Sequence, residues 1–169
     1  FVFLPGQYLD LIWMGNKRSY SIASAGVSEN KIQLHVKKVD NGLFSEFLFN
    51  KLQLNQLLRF YAPLGTFFLR EGLSPIIFLC TGTGFAPVKS MVESLLASGS
   101  KRKIHIYWGG RAAEDLYSDL PTKWATQNDN IHFVPVLSRE GHPLENKLSS
   151  SSNAPAKYVQ QAVIQRHSN

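Results

Sequence analysis

A chain of 169 residues with 44% hydrophobic and 18% charged residues can bury a core in one or two small domains, and its composition is that of a globular rather than a disordered chain. Its single cysteine excludes an internal disulfide and a cysteine-built metal site, which fits a reducing cytoplasm, and no apolar run reaches the length of a membrane span. The net charge of +6 calls for an anionic ligand or partner, yet Lys17-Arg18, Lys37-Lys38 and Lys101-Arg102-Lys103 are scattered rather than set in one stripe, which argues against nucleic acid.

The chain begins at Phe1-Val2-Phe3-Leu4 without a methionine, as if in mid-strand, and reads as a piece of a longer protein. Pro5-Gly6 is a turn, and residues 7–13, rich in aromatic and branched side chains, form a strand. Arg18-Ser19-Tyr20-Ser21-Ile22-Ala23-Ser24 follows. Strand alternation sets Arg18 and Tyr20 on one side, with Ser19 and Ser21 on the other side or along the rim. A fixed cation beside an aromatic face suits a flat, phosphate-bearing cofactor. In residues 32–37 the alternation sends Ile32, Leu34 and Val36 to a core and Gln33, His35 and Lys37 outward. That outward face makes His35 and Lys37 candidates for a contact at a cofactor edge. Residues 43–52 form a short helix with Leu43, Phe44, Phe47, Leu48 and Leu52 apolar. Residues 57–61 return as a strand, closed by Ala62-Pro63-Leu64-Gly65. Short strands separated by turn signals predict a small antiparallel barrel.

After Gly72 the pattern changes. Residues 76–80 are wholly apolar, as in a strand buried on both faces. Thr81-Gly82-Thr83-Gly84-Phe85-Ala86-Pro87 then leads into a helix over 86–98. Residues 103–108 and 131–137 are further strands around a broken helical stretch at 113–127. Residues 141–155, with their serine run, are a loop, and 158–167 a helix with Val159, Ala162 and Val163 inward. Strands alternating with helices predict a parallel sheet. The domains expected are 1–72, antiparallel, and 73–169, α/β.

Gly82-Thr83-Gly84 lets backbone approach a pyrophosphate at a helix start. The loop lacks the Lys-Ser/Thr pair of a P-loop. It also departs from the usual dinucleotide fingerprint, because Pro87 stands where the third glycine belongs. Nor does an acidic residue end the second strand, which closes with Tyr107-Trp108-Gly109-Gly110-Arg111. Two phosphate-ready motifs on one small chain suggest electron or hydride traffic between two cofactors. Cys80 reads as a small buried hydrophobe, Trp108 and Trp124 as packing residues, and 101–103 as a solvated loop.

Taken together, these motifs resemble the ferredoxin–NADP reductase-like flavoproteins over almost the whole chain. Arg18-Ser19-Tyr20-Ser21 matches that family's flavin motif, and Pro5-Gly6-Gln7-Tyr8 the strand entry before it. Gly42-Leu43-Phe44-Ser45 is similar to the turn that cradles the flavin phosphate. Pro63-Leu64-Gly65-Thr66-Phe67 is similar to the barrel's closing loop. Thr81-Gly82-Thr83-Gly84-Phe85-Ala86-Pro87 matches the nicotinamide-side loop, proline included. Tyr107-Trp108-Gly109-Gly110-Arg111 with Asp115-Leu116-Tyr117 looks most similar to the bacterial flavin reductase and CDP-deoxyglucoseen reductase branch. The resemblance implies that Arg18 contacts a flavin phosphate, that Tyr20 packs on the ring, and that Ser21 bonds near the hydride-accepting nitrogen. Tyr20 and Ser21 are thus the expected catalytic residues. It further implies FAD or FMN held by Arg18, Tyr20, Ser21, Gly42, Leu43, Phe44 and Ser45. NADH or NADPH would be placed by Thr81, Gly82, Thr83, Gly84 and Arg111. Ser138 and Arg139 would meet either a 2′-phosphate or the adenosine ribose, which leaves the choice of nucleotide open. The family's opening barrel strands and its final strand are absent from this sequence. The activity implied is hydride transfer from NAD(P)H to flavin, then electron transfer to an iron–sulfur domain or protein. Release of free reduced flavin, or nucleotide binding without turnover, are the alternatives.

Overall fold

The computed structural model describes residues 1–26, 31–139 and 158–167; the loop expected over 141–155 lies outside them. Its contacts group Phe1–Glu71 with Ala86–Ser100 in one unit, and Gly72–Phe85 with Lys101–Asn169 in a second.

The first unit is built on an antiparallel sheet of β1 (Tyr8–Trp13), β2 (Asn16–Ser21) and β3 (Arg59–Leu64), in the order β2-β1-β3. Met14 and Gly15 both take positive φ, the backbone that a two-residue hairpin needs to match strand twist. Leu9 and Leu11 alternate inward from β1 and form a core with Phe3, Ile22 and Phe44. Pro63 lies inside β3, where the sequence suggests a turn; an edge position in the described sheet tolerates its missing donor.

Residues 32–37 are not a regular strand. Ile22 bridges Leu34, and the Ala23 N–H donates to the Gln33 carbonyl at 2.8 Å. The paired run of β2 ends at Ser21, and past it these are the backbone contacts with the segment among the described residues, too few for a ladder. Ile32 and Leu34 still pack on the core, as the alternation requires. The helix expected over 43–52 is a short turn, α1 (Leu43–Glu46), running on into a π turn, Phe47–Lys51. Phe44 and Phe47 are buried and Phe47 stacks on Trp13. Leu43, expected on the apolar face, is instead exposed.

Helix α2 (Phe85–Ala97) belongs to the first unit except for Phe85, its opening residue. Its residues from Phe85 to Val92 are all buried, so this stretch lacks a solvated face.

The second unit is a parallel sheet of β4 (Ile76–Thr81), β5 (Ile104–Gly110) and β6 (Ile131–Leu137), in that order. α3 (Leu120–Gln127) contributes Trp124 to an aromatic cluster with Phe85 and Trp108. On the other face α4 (Val159–His167) presents Val159, Ala162 and Val163 to Tyr107 and Val136. The apolar run of β4 is not buried on both sides. Phe78 and Cys80 are covered, but Ile77 is 42% and Leu79 50% exposed, because α4 seats chiefly on the neighbouring strands. Arg102, expected in a solvated loop, is half-buried and donates Nε to the Ser74 carbonyl at 2.8 Å.

Candidate functional site

In the first unit the register pairs Leu9 with Tyr20, Leu11 with Arg18, Asp10 with Ser19 and Tyr8 with Ser21. Residues opposite one another in an antiparallel ladder share a face. Arg18 and Tyr20 therefore stand on the side of Leu9 and Leu11, and Ser19 and Ser21 on the side of Asp10. Tyr20 is half-buried against the core, and its phenol is raised by that burial, with the Arg18 cation pulling the other way. Arg18 is exposed; its guanidinium carbon sits 5.6 Å from the centre of the Phe44 ring while Nη1 donates to the Lys17 carbonyl. Ser19 Oγ donates to Asp10 Oδ1 at 2.6 Å, so of the two serines it is Ser19 that is tied to a carboxylate.

The turn before α1 closes through the Gly42 N–H, which donates to the Val39 carbonyl at 3.1 Å. A Cβ at Gly42 would lie 3.1 Å from that carbonyl, so the turn is too tight for a side chain without adjustment. Ser45, 7% exposed, accepts the Val39 N–H at 2.8 Å through Oγ and keeps its own hydrogen to donate. The structure thus brings Arg18, Tyr20 and Phe44 onto one patch, and Gly42 and Ser45 onto one turn. Lys37 is exposed, as expected. His35 is not: it is half-buried, and its pKa is lowered by burial first and by the Lys89 ammonium second. A cation, a half-buried aromatic ring and a tight backbone turn form a donor set that fits a flat, phosphate-bearing cofactor.

In the second unit β4 ends at Thr81 and the chain enters a 3₁₀ turn, Gly82–Gly84. Gly82 has φ +48°, where a side chain is strained, and nothing lies within 4 Å of a Cβ built there. Beneath the turn, Trp108 Nε1 donates to the Gly82 carbonyl at 3.1 Å, and the fully buried indole stacks on Phe85 at 4.1 Å. A tryptophan that reads as plain packing therefore also holds the turn. Gly109 lies beside Thr81, and a Cβ there would meet Val159 Cγ1 at 2.9 Å.

Asp115 Oδ2 accepts the Arg111 N–H at 2.8 Å and fixes the bend after β5. The N–H groups of Ser138 and Arg139 donate to the carbonyls of Gly110 and Arg111, each at 3.0 Å. Arg111 and Arg139 are thereby neighbouring, exposed cations. Thr81 ends β4, and Thr83, Gly84, Arg111, Ser138 and Arg139 lie just past the carboxyl ends of the parallel strands, where open α/β sheets bind ligands. Open backbone at the glycine turn together with exposed cations within this unit fits the phosphates of a nucleotide. Cys80 takes no part: burial pushes its thiol up to about 12.

Residues 1–69 match the family model of the oxidoreductase FAD-binding domain, and residues 78–169 that of the oxidoreductase NAD-binding domain. The chain belongs to the ferredoxin–NADP reductase-like flavoproteins. It is 50% identical over 163 residues to the CDP-6-deoxy-L-threo-D-glycero-4-hexulose-3-dehydrase reductase of Yersinia pestis, covering 96% of this chain and 47% of the relative. It is 31% identical to the anthranilate 1,2-dioxygenase electron transfer component of Acinetobacter baylyi, over 86% of this chain and 43% of that protein. Among solved structures, Amycolatopsis cytochrome P450 reductase GcoB superposes with a TM-score of 0.83 at 28% identity, over 99% of this chain and 50% of the other. Ferredoxin-NADP+ reductase from Plasmodium falciparum gives 0.76 at 25% identity, over 97% and 66%. The chain spans about half the length of the curated relatives it matches. Among the described residues, no helix is long and apolar enough to cross a membrane.

Proposed function

We propose that the whole protein takes a hydride from NADH or NADPH onto a bound flavin and passes electrons on to an iron–sulfur centre. It would thus act as an electron-transfer reductase, a reading supported by its similarity to the hexulose dehydrase reductase and to the electron transfer component of anthranilate 1,2-dioxygenase. The supporting observation is the succession of two nucleotide-family segments in one chain, each with its own phosphate-ready backbone and cations. In this reading residues 1–72 carry the flavin and 73–169 the nicotinamide nucleotide, in a reducing compartment such as the cytoplasm. A bound flavin supplies the step from two-electron to one-electron chemistry. Arg18, Gly42 and Ser45 hold its phosphate, with Leu43 and Phe44 completing that turn. Tyr20 flanks its ring, and Ser21 holds a hydrogen bond at the ring nitrogen. His35 and Lys37 lie toward its edge. Thr81, Gly82, Thr83 and Gly84 receive the nicotinamide nucleotide's pyrophosphate, Arg111 steadies it, and Ser138 and Arg139 face its adenosine end. Nothing in this set needs to be a strong acid or base, because the rate of such a transfer comes from positioning.

The test uses the full-length protein. Its chromophore is released and identified, then the holoprotein is titrated anaerobically with NADH and with NADPH. Bleaching of a bound flavin by one of them, followed by reduction of an iron–sulfur centre, is the expected result. A colourless protein that oxidises neither nucleotide would overturn the proposal. Loss of reduced flavin into solution would favour a free-flavin reductase.

A further inference from the structure

Lys89 lies on α2, a few residues beyond Gly84, yet it is only 7% exposed. Its ammonium donates to Glu93 Oε2 at 2.7 Å and to the Ala23 carbonyl at 3.2 Å. Beside it Ser90, fully buried, donates Oγ to the Ser24 carbonyl at 2.7 Å. The same backbone is tied from its other side. The Ile22 N–H donates to the Gln7 carbonyl at 2.9 Å, and the Ala23 N–H to the Gln33 carbonyl at 2.8 Å. The chain just past Ser21 is therefore held by its N–H groups to Gln7 and Gln33 and by its carbonyls to α2.

Stability alone does not call for this arrangement. Burying an ammonium is costly, and apolar residues of similar size commonly replace a buried ion pair without loss. What an apolar pair lacks is direction. Only a donor can aim two successive carbonyls and fix the path of the backbone between them. We propose that Lys89, with Ser90 beside it, is a positioning residue for hydride transfer: it locks the strand end that carries Ser21 onto the helix that the Gly82–Gly84 turn feeds. The inference rests on the function proposed above. A cleft of about 470 Å³, lined in part by Ser24, Gln33, Lys89 and Glu93, lies at this clamp, and the Glu93 side chain is 29% exposed. Water can therefore reach Glu93 once the ammonium is gone.

The test is stopped-flow reduction of the full-length holoprotein at saturating nicotinamide nucleotide, with urea midpoint and flavin content measured alongside. The variant K89M/E93L should keep both while its limiting rate of flavin bleaching falls about tenfold, with little change in half-saturation. K89R, which retains a donor, should recover part of the rate. A K89M/E93L protein of normal stability that bleaches at the wild-type rate would reduce Lys89 to packing. If that variant fails to fold, S90A decides, since it leaves the ion pair intact: about a threefold slower limiting rate supports the clamp, and an unchanged one overturns it. Wild-type protein that neither nucleotide reduces would instead overturn the functional reading itself, which separates the two failures.

Discussion

Trp108→Phe separates the indole's hydrogen bond from its bulk. The Nε1–Gly82 bond is 3.1 Å long, and the Gly82 backbone is half-exposed, so water replaces part of what is lost. A neutral hydrogen bond contributes about 0.5–1.5 kcal/mol, and partial resolvation puts this one near 1 kcal/mol. The smaller ring keeps an aromatic partner for Phe85 but leaves a space under the turn. Whole aromatic side chains cost about 3–5 kcal/mol when cut to alanine, so trimming an indole to a phenyl should cost about 1–2 kcal/mol. Total stability should thus fall by about 2–3 kcal/mol. The part that reaches the ligand is the bond to Gly82. If it orders the turn in the unliganded protein, losing about 1 kcal/mol should weaken nicotinamide binding by about fivefold. Half-saturation in stopped-flow flavin bleaching reads this directly, and the limiting rate should change less. Val136→Ala is the control. Val136 packs with Tyr107 and Ala162 on the face of the same sheet opposite to Trp108. It should lower stability with no effect on half-saturation. Equal weakening by both variants, or an unchanged half-saturation in Trp108→Phe, would show that the indole only fills space.

Three further outcomes follow from the geometry. Ser21→Ala should slow flavin bleaching by one to two orders of magnitude, roughly the loss of a donor at a reacting centre, with flavin affinity nearly unchanged; unaltered single-turnover rates would remove Ser21 from the mechanism. The native pKa values of His35 and His105 are both lowered, each by burial first, with Lys89 adding to the effect at His35, and His132, His167, Arg166 and Lys103 adding at His105. A group held below its unfolded value binds fewer protons in the folded state. Stability is therefore full above the ordinary value of 6.5 and declines as pH falls through it, so the urea midpoint should drop between about pH 7.5 and about pH 5.5. His105→Phe, which also removes a buried ring nitrogen with no partner among the described residues, should flatten that decline, and a midpoint that rises on acidification would contradict the sign. Cys80, with its thiol pushed up to about 12, should resist a thiol reagent in the native protein and react on unfolding; stoichiometric labelling without denaturant would disprove its burial.

Some of this was legible from pattern alone. The face shared by Arg18 and Tyr20 follows from a period of two, and the inward set Val159, Ala162 and Val163 follows from helical spacing; both depend only on the local chain. Residues 32–37 show the limit. Their alternation marks Ile32 and Leu34 for the core, but a strand also needs a paired partner, and among the described residues backbone contacts reach them only from Ile22 and Ala23. The apolar run of β4 likewise says nothing about which face a helix will cover, so Ile77 and Leu79 were misread. Lys89 carries no signal of its role in the local pattern. A lysine four residues before a glutamate looks like a pair on a solvated helix face. Its burial is a tertiary fact, and the one local hint is its place among Val88, Met91 and Val92, all buried.

The polar side chains around both candidate sites divide by what they hold. Lys89 and Ser90 bind the carbonyls of Ala23 and Ser24, Ser45 binds the Val39 N–H, Trp108 binds the Gly82 carbonyl, and Asp115 binds the Arg111 N–H. These groups fix backbone, and all but Asp115 are buried. Arg18, Arg111 and Arg139 are exposed, and they are the cations proposed above to meet phosphates. Salt screens exposed charges within a short distance but acts weakly on short hydrogen bonds inside the protein. Ionic strength should therefore separate affinity from rate. Raising it from about 0.05 M to about 0.5 M shortens the screening length several-fold, so half-saturation for the nicotinamide nucleotide should rise several-fold while the limiting rate of flavin bleaching stays constant. A limiting rate that falls with salt while half-saturation holds would mean that the exposed arginines, rather than the backbone anchors, align the reacting groups.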